Sequence, residues 1–131
     1  MLYASKLQNL VTMSTTETEY VALSEGLRET IPVMDLLEEI SRLELCPYVS
    51  KAVVRCKAFE DNEGALELAL IPKLRPRNKH INSKYHHFRS HVRNGKLLIK
   101  AIDTKEQVAD ILTKGVEQNL FLYLRKKMMN W

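Results

Sequence analysis

Three carboxylates stand where an acid needs a chemical reason. Glu19 lies in the opening turns of a helix that Ser14, Thr15 or Thr16 can cap, Asp61 ends a Val-rich run that reads as a strand, and Asp110 lies in a short helix after a second apolar strand. Each is bordered by apolar or small residues: Tyr20-Val21-Ala22 after Glu19, Ala58-Phe59 before Asp61, Val108-Ala109 and Ile111-Leu112 around Asp110. In open α/β sheets reactive groups gather at the carboxyl ends of strands and at the helix starts beside them. Three acids converging there, with no evident Lys partner, suit hard, oxygen-ligated divalent cations such as magnesium. Two such ions about 4 Å apart clamp the attacking and leaving oxygens of a phosphodiester. Taken singly, each acid reads more simply as a capping or solvated carboxylate.

A second feature is the distribution of charge. The stretch from Leu68 to Ile102 contains Lys73, Arg75, Arg77, Lys79, Lys84, Arg89, Arg93, Lys96 and Lys100 and no Asp or Glu, so it carries +9 within a chain of net charge +4. One basic region on a mildly acidic body points to a polyanionic partner. His80, His86, His87, His91 and Tyr85 are interleaved with these cations, and such rings stack on bases or sugars, which favours nucleic acid. The plainer alternative is a solvated basic face.

The elements that must position these groups follow from periodicity. Leu2–Met13 reads as a hairpin, with Asn9–Met13 its firmer strand. Tyr20, Leu23, Leu27, Ile31, Met34, Leu37 and Ile40 recur at helical spacing and predict an amphipathic helix of about six turns, kinked or split by Pro32 near Thr30–Ile31. Strands are expected over Ala52–Glu60 and Leu97–Ile102, and helices over Ala65–Ile71, His80–Arg93 (stopped by Asn94-Gly95), Glu106–Lys114 and Glu117–Met129. Helical crossovers between the later strands imply parallel pairing, hence an α/β fold with a mixed sheet flanked by helices. The 131 residues suit one domain, with no internal repeat.

Several classes are excluded. No apolar run approaches the ~20 residues of a membrane span, and the start carries no signal-peptide pattern. Cys46 and Cys56 show no zinc-type pairing, and an intracellular setting with reduced thiols is expected. His87 and His91 are four apart, yet no cysteine or nearby acid completes a tetrahedral site. No Gly-rich phosphate loop and no Ser–His–Asp or Cys–His nucleophile emerges.

Four blocks carry a resemblance. Ser14-Thr-Thr-Glu-Thr-Glu-Tyr-Val-Ala-Leu-Ser24, Phe59-Glu-Asp-Asn-Glu-Gly-Ala-Leu66, Asn78-Lys-His-Ile-Asn-Ser-Lys-Tyr-His-His-Phe-Arg89 and Thr104-Lys-Glu-Gln-Val-Ala-Asp-Ile-Leu-Thr-Lys114 occur in order. Together they resemble the ribonuclease H domain of copia-type retrotransposon Pol polyproteins, covering residues 5–114, with 115–131 a C-terminal helix. The resemblance implies a ribonuclease H-like fold and two-metal hydrolysis of the RNA strand of RNA–DNA hybrids. Glu19, Asp61 and Asp110 then match the family's catalytic, metal-binding acids for two Mg2+ or Mn2+ ions. Asn62, Arg77, Lys79, His80, Lys84, Tyr85, His86 and Arg89 are expected to contact the hybrid, and an upstream reverse transcriptase segment of the same polyprotein is the expected partner.

The resemblance also implies departures. The family's first aspartate lies on a central strand upstream of the segment matching Met1–Lys6, so this chain is expected to be a partial domain lacking that strand and impaired in cleavage. Asp103–Ala109 holds no histidine, where many cellular relatives carry one before the last aspartate. The competing expectations are a noncatalytic nucleic-acid-binding remnant of a retroelement polyprotein and a protein-interaction module.

Overall fold

The computed structural model describes residues 14–43, 53–71 and 83–130, and of 83 and 84 only the backbone. The hairpin expected over Leu2–Met13 lies outside these residues, as do Cys46 and the basic positions Lys73 to His80.

Helix α1 spans Thr15–Arg42. Its start follows from Ser14, whose hydroxyl accepts the Glu17 N–H at 3.3 Å, with Glu17 in the first turn complementing the helix dipole. The expected split at Pro32 does not occur: the helix runs through it without a break. Pro32 is solvent-exposed, where the carbonyl deprived of its N–H partner can be hydrated, and the buried residues Leu27 and Met34 hold the helix on both sides of it.

Strand β1 (Cys56–Glu60) and strand β2 (Leu97–Ala101) pair in parallel, in a register that sets Cys56 against Leu97 and Glu60 against Ala101. The parallel pairing expected from the crossovers is therefore present, in a two-stranded sheet among the described residues. Alternation along the strands sends Cys56, Ala58 and Glu60, with Leu97 and Ile99, toward the helices, and leaves Lys57, Phe59, Leu98 and Lys100 outward. The first residues of the predicted strand, 53–55, are not in it.

Helix α2 (Glu63–Leu70) begins one residue after Asn62, whose side-chain oxygen accepts the Ala65 N–H at 3.0 Å. The single helix expected over His80–Arg93 is instead a 3-10 turn, Ser83–His86, followed by the short helix α3, Arg89–Arg93. Tyr85 of the turn and Phe88, the residue before α3, are both buried in the core. Gly95, at φ 71°, ends α3, with Gly95 N–H donating to Val92 and Lys96 N–H to His91, the paired bonds of a glycine helix stop.

The helix expected over Glu106–Lys114 also divides, into a 3-10 turn (Thr104–Glu106) and helix α4 (Asp110–Thr113). Gln107 between them is extended, and its amide reaches the Phe59 carbonyl at 3.5 Å, stitching this connection to β1. Helix α5 (Gln118–Met129) inserts Leu124 into the body. Tyr123 and Lys127 anchor it by donating to the Glu106 carboxylate at 2.8 and 2.7 Å.

The core joins Tyr20, Val21 and Leu27 of α1 to Ala65 and Ala69 of α2, Tyr85, Phe88, and Leu97 and Ile99 of β2. No described helix is long and apolar enough to cross a membrane.

One close approach sets the seam between the starts of α1 and α2. A Cβ on Gly64 would lie 2.8 Å from Thr16 Cγ2 and 2.9 Å from Thr16 Oγ1. Alanine ordinarily gains about 1 kcal/mol over glycine within a helix. Here overpacking wins, and Gly64→Ala is expected to lose about 1–3 kcal/mol. Urea unfolding checks this: Thr16→Ala should restore most of the loss in the double variant, and a Gly64→Ala midpoint at or above the unsubstituted value would contradict the seam.

Candidate functional site

Parallel strands deliver their carboxyl ends to the same side, and this is what builds the acidic end of the molecule. The chain leaves β1 at Glu60, whose carbonyl accepts the Ile102 N–H just after β2 at 3.1 Å. Asp61 follows directly. From the end of β2 the stitched connection leads into α4, of which Asp110 is the first residue. The seam at Gly64, with the Thr16 hydroxyl 3.4 Å from Asn62 Oδ1, brings the first turns of α1 to the same end, and Glu19 with them.

Glu19 and Asp61 are half-buried, whereas Asp110 is buried at 8% exposure. The Lys114 ammonium lies 2.9 Å from Asp110 Oδ1. That hydrogen bond, more than anything else, holds Lys114 above the usual lysine range; burial opposes it, and the negative charges of Asp110, Asp61 and Glu19 add to it. Three acids from three separate elements thus act on one point. The expectation that they lack a lysine partner is corrected: Lys114 is that partner, and an aspartate four residues before a lysine in a helix was its signal.

A fourth carboxylate belongs to this end and was not singled out from the sequence. Glu60 is 5% exposed and accepts the Asn62 N–H at 3.1 Å. Burial pushes its carboxyl above the ordinary range; the Asn62 hydrogen bond opposes this, and the charges of Glu19 and Asp61 reinforce it. Strand alternation marks it as inward-facing, in step with Cys56 and Ala58.

Despite this crowding, among the described residues no three Asp, Glu, His or Cys side chains are grouped as ligands of one metal ion. As arranged, with Asp110 engaged by Lys114, the acidic end does not form the ligand set that the magnesium expectation requires.

The residues expected to meet nucleic acid are differently placed. Tyr85 is a core residue, 2% exposed, so its expected stacking on a nucleotide is corrected. His86 hydrogen-bonds through Nδ1 with the buried Tyr20 hydroxyl. Arg89 turns inward, donating to the Leu68 carbonyl at 2.7 Å and interacting with Tyr20, so it ties α2 and α1 together instead of projecting from them. Lys96 pairs with Glu38 of α1 at 2.7 Å. Asn62 caps α2. Arg93 and Lys100 are exposed. Arg77, Lys79, His80 and the Lys84 side chain lie outside the described residues. Cys56 is a half-buried free thiol, pushed above its ordinary pKa by burial, as a near-core cysteine should be.

The raised pKa of Glu60 makes stability depend on pH. The unfolded chain releases this proton at lower pH than the folded one, so Glu60's contribution is complete below the ordinary carboxylate range and is lost as pH rises through its raised value. Glu60→Gln should therefore gain stability relative to the unsubstituted chain as pH rises from the ordinary carboxylate range through the raised value of Glu60. Urea unfolding at a series of pH values tests it; a constant difference between the two proteins would remove Glu60 as the titrating group.

No family model and no solved structure matches the chain. It is 36% identical over 119 residues to the retrovirus-related Pol polyprotein from transposon TNT 1-94 of Nicotiana tabacum, across 91% of this chain and 8% of the relative. Similar proteins from transposons RE1 and RE2 of Arabidopsis thaliana are 34% and 33% identical over 127 residues, each across 96% of this chain and 8% of the relative. The chain's homologues are thus retrovirus-related Pol polyproteins of transposons, and it corresponds nearly end to end to one short region of them.

Proposed function

We propose that this chain is the ribonuclease H region of a retroelement Pol polyprotein, that it adopts a ribonuclease H-like fold, and that it binds RNA–DNA hybrids. Its acidic end, Glu19, Asp61 and Asp110, is the catalytic locus, and Mg2+ or Mn2+ is the cofactor class. The observation that carries this reading is the parallel pairing that directs the end of β1, with Asp61, and the connection to Asp110 to one end of the molecule, where the Gly64 seam sets the first turns of α1. Acids drawn from three elements to one strand end belong to phosphodiester chemistry more readily than to capping, which needs only one acid at each helix start. Homology to Pol polyproteins supplies the setting, in which an upstream reverse transcriptase segment would be the neighbour and the hybrid its product.

Hybrid would be gripped through the basic stretch, chiefly Arg77, Lys79, His80 and Lys84, together with the exposed Arg93 and Lys100. Phosphate contacts would hold the duplex and 2′-hydroxyl contacts across the wide minor groove would identify the RNA strand. Because the described acids are not grouped as metal ligands, hydrolysis by this chain is expected to be absent or slow. The same observation favours a second reading, a noncatalytic hybrid-binding module, which shares the binding surface and differs only in cleavage.

Two measurements test this. Binding to hybrid, followed by fluorescence anisotropy against salt, should give a log–log slope of roughly −4 to −5, for four to six neutralised phosphates. Charge reversal at Lys79 and Lys84 should flatten that slope. Incubation of labelled hybrid with Mg2+ or Mn2+ then separates the readings: slow RNA-strand cleavage that disappears in Asp61→Asn supports the nuclease, and binding without any cleavage supports the module. Absence of hybrid binding at moderate salt, unchanged by charge reversal, would overturn both and leave a protein-interaction role.

A further inference from the structure

Two helical faces of the molecule carry apolar side chains into solvent, and they differ in charge. In the second half of α1 the core-facing positions are Met34 and Ser41, seven residues apart and both buried. On the side turned away from the core, Val33, Leu36, Ile40 and Leu43 recur at spacings of three, four and three. That is the heptad seam along which one helix packs on another, and a solvated face does not require it. Leu36 and Leu43 are 56% and 55% exposed. The surroundings are acidic: residues 29–43 hold Glu29, Asp35, Glu38 and Glu39 against one base, Arg42. Lys96 takes up the charge of Glu38, and Arg42 meets Glu39 loosely, at 3.6 Å between well-exposed side chains.

The second face belongs to α5. With Leu124 buried in the body and Tyr123 and Lys127 fastened to Glu106, the helix turns Leu122 and Met129 outward, bordered by Phe121 and Lys126. All four are exposed. The helix holds Arg125, Lys126 and Lys127 and no acid. An apolar ridge in basic surroundings is the complement of an apolar stripe in acidic ones.

Within one molecule the two faces stand apart. Helix α1 starts at the carboxyl end of the sheet, where Gly64 meets Thr16, and by Glu38 it has reached Lys96, just before β2 begins. Its 28 residues make it about 42 Å long, against about 17 Å for a five-residue strand, so its last turn overruns the sheet. Helix α5 is held at the other end, on Glu106 just past β2.

We propose that the acidic stripe of α1 docks the basic face of α5 from a second copy of this chain. Charge decides the pairing: α1 on α1 sets acid beside acid and α5 on α5 sets base beside base, whereas α1 on α5 joins opposite signs. Contact between two different faces is heterologous, so each copy offers one of each and copies add head to tail. Two short helix faces bury less than the ~1,200 Å² of a stable interface, so the association is weak, with a Kd of about 100 μM. The interface does not depend on the ribonuclease H reading.

The test is sedimentation of the full chain. Its weight-average mass should rise between about 10 μM and about 500 μM and pass that of a dimer. Raising the salt from about 0.05 M to about 0.5 M should weaken the association, because the charges around both faces are exposed. Leu36→Gln with Leu43→Gln removes the α1 stripe, and Leu122→Gln with Lys126→Glu removes the α5 face; all four positions are exposed, so the circular dichroism should not change. Each double variant alone should stay monomeric. Mixed in equal amounts, the two retain one intact stripe and one intact basic face, and should form a dimer and nothing larger. A monomer at every concentration would overturn the proposal, since the stripe then takes no second copy. Association of either variant by itself, which an α1–α1 or α5–α5 contact would give, would overturn it too, as would a mixture that forms no dimer. If a double variant loses its dichroism, Lys126→Glu alone decides: it should weaken association about threefold, and no change would count against the α5 face.

Discussion

The parallel pairing of Cys56–Glu60 with Leu97–Ala101 is the constraint on which the rest of the molecule depends. Two parallel strands cannot be joined by a hairpin; the chain must cross over and return. Here the crossover contains α2, the 3-10 turn and α3, and it carries the rings of Tyr85 and Phe88 over the inner face of the sheet and against Tyr20 of α1. The same pairing points both strand ends in one direction. Asp61 leaves the end of β1 and the connection to Asp110 leaves the end of β2, so their meeting is a consequence of strand direction and needs no dedicated device. An antiparallel pair would have sent them to opposite sides of the molecule.

Bringing acids together has an electrostatic cost, and the structure meets it in two ways. Glu60, buried and facing Glu19 and Asp61, is pushed toward its neutral form. Asp110, also buried, is matched by Lys114. The difference follows from the neighbours each residue can reach. Asp110 begins a helical turn, so a residue four positions later lies over it. Glu60 ends a strand, where the nearest donor is the backbone of Asn62 and no cation is within reach along the chain.

The basic stretch of the sequence is put to two uses. Arg89 and Lys96 are spent on the fold: one holds the carboxyl end of α2 to Tyr20 near the start of α1, and the other fastens the start of β2 to Glu38. His86 joins them through Tyr20. Arg93 and Lys100 remain exposed. A guanidinium or an ammonium on a long stem satisfies buried carbonyls and carboxylates as readily as phosphates, so an excess of positive charge within a stretch counts possible contacts and does not assign them.

Much was legible in the residues themselves. The cap at Ser14, the stop at Gly95, the strand over Leu97–Ala101 and the final helix are local, fixed by neighbours within a few positions, and they stand as read. So does the α/β class, because alternating strands and helices leave few ways to pair the strands. What the sequence could not decide depended on partners far along the chain. Pro32 does not break α1, because it falls on the solvent side; Tyr85 is core because it joins the cluster of Tyr20 and Phe88; Gln107 divides a helix because Phe59 offers it a carbonyl. At the acidic end, sequence alone singled out Glu19, Asp61 and Asp110 as candidates by their apolar surroundings, while the tertiary structure added the buried Glu60 and paired Asp110 with Lys114. Local preferences act over a turn of helix or a pair of strand residues, but the charge a carboxylate faces is set by everything packed around it, and that exists only once the chain has folded.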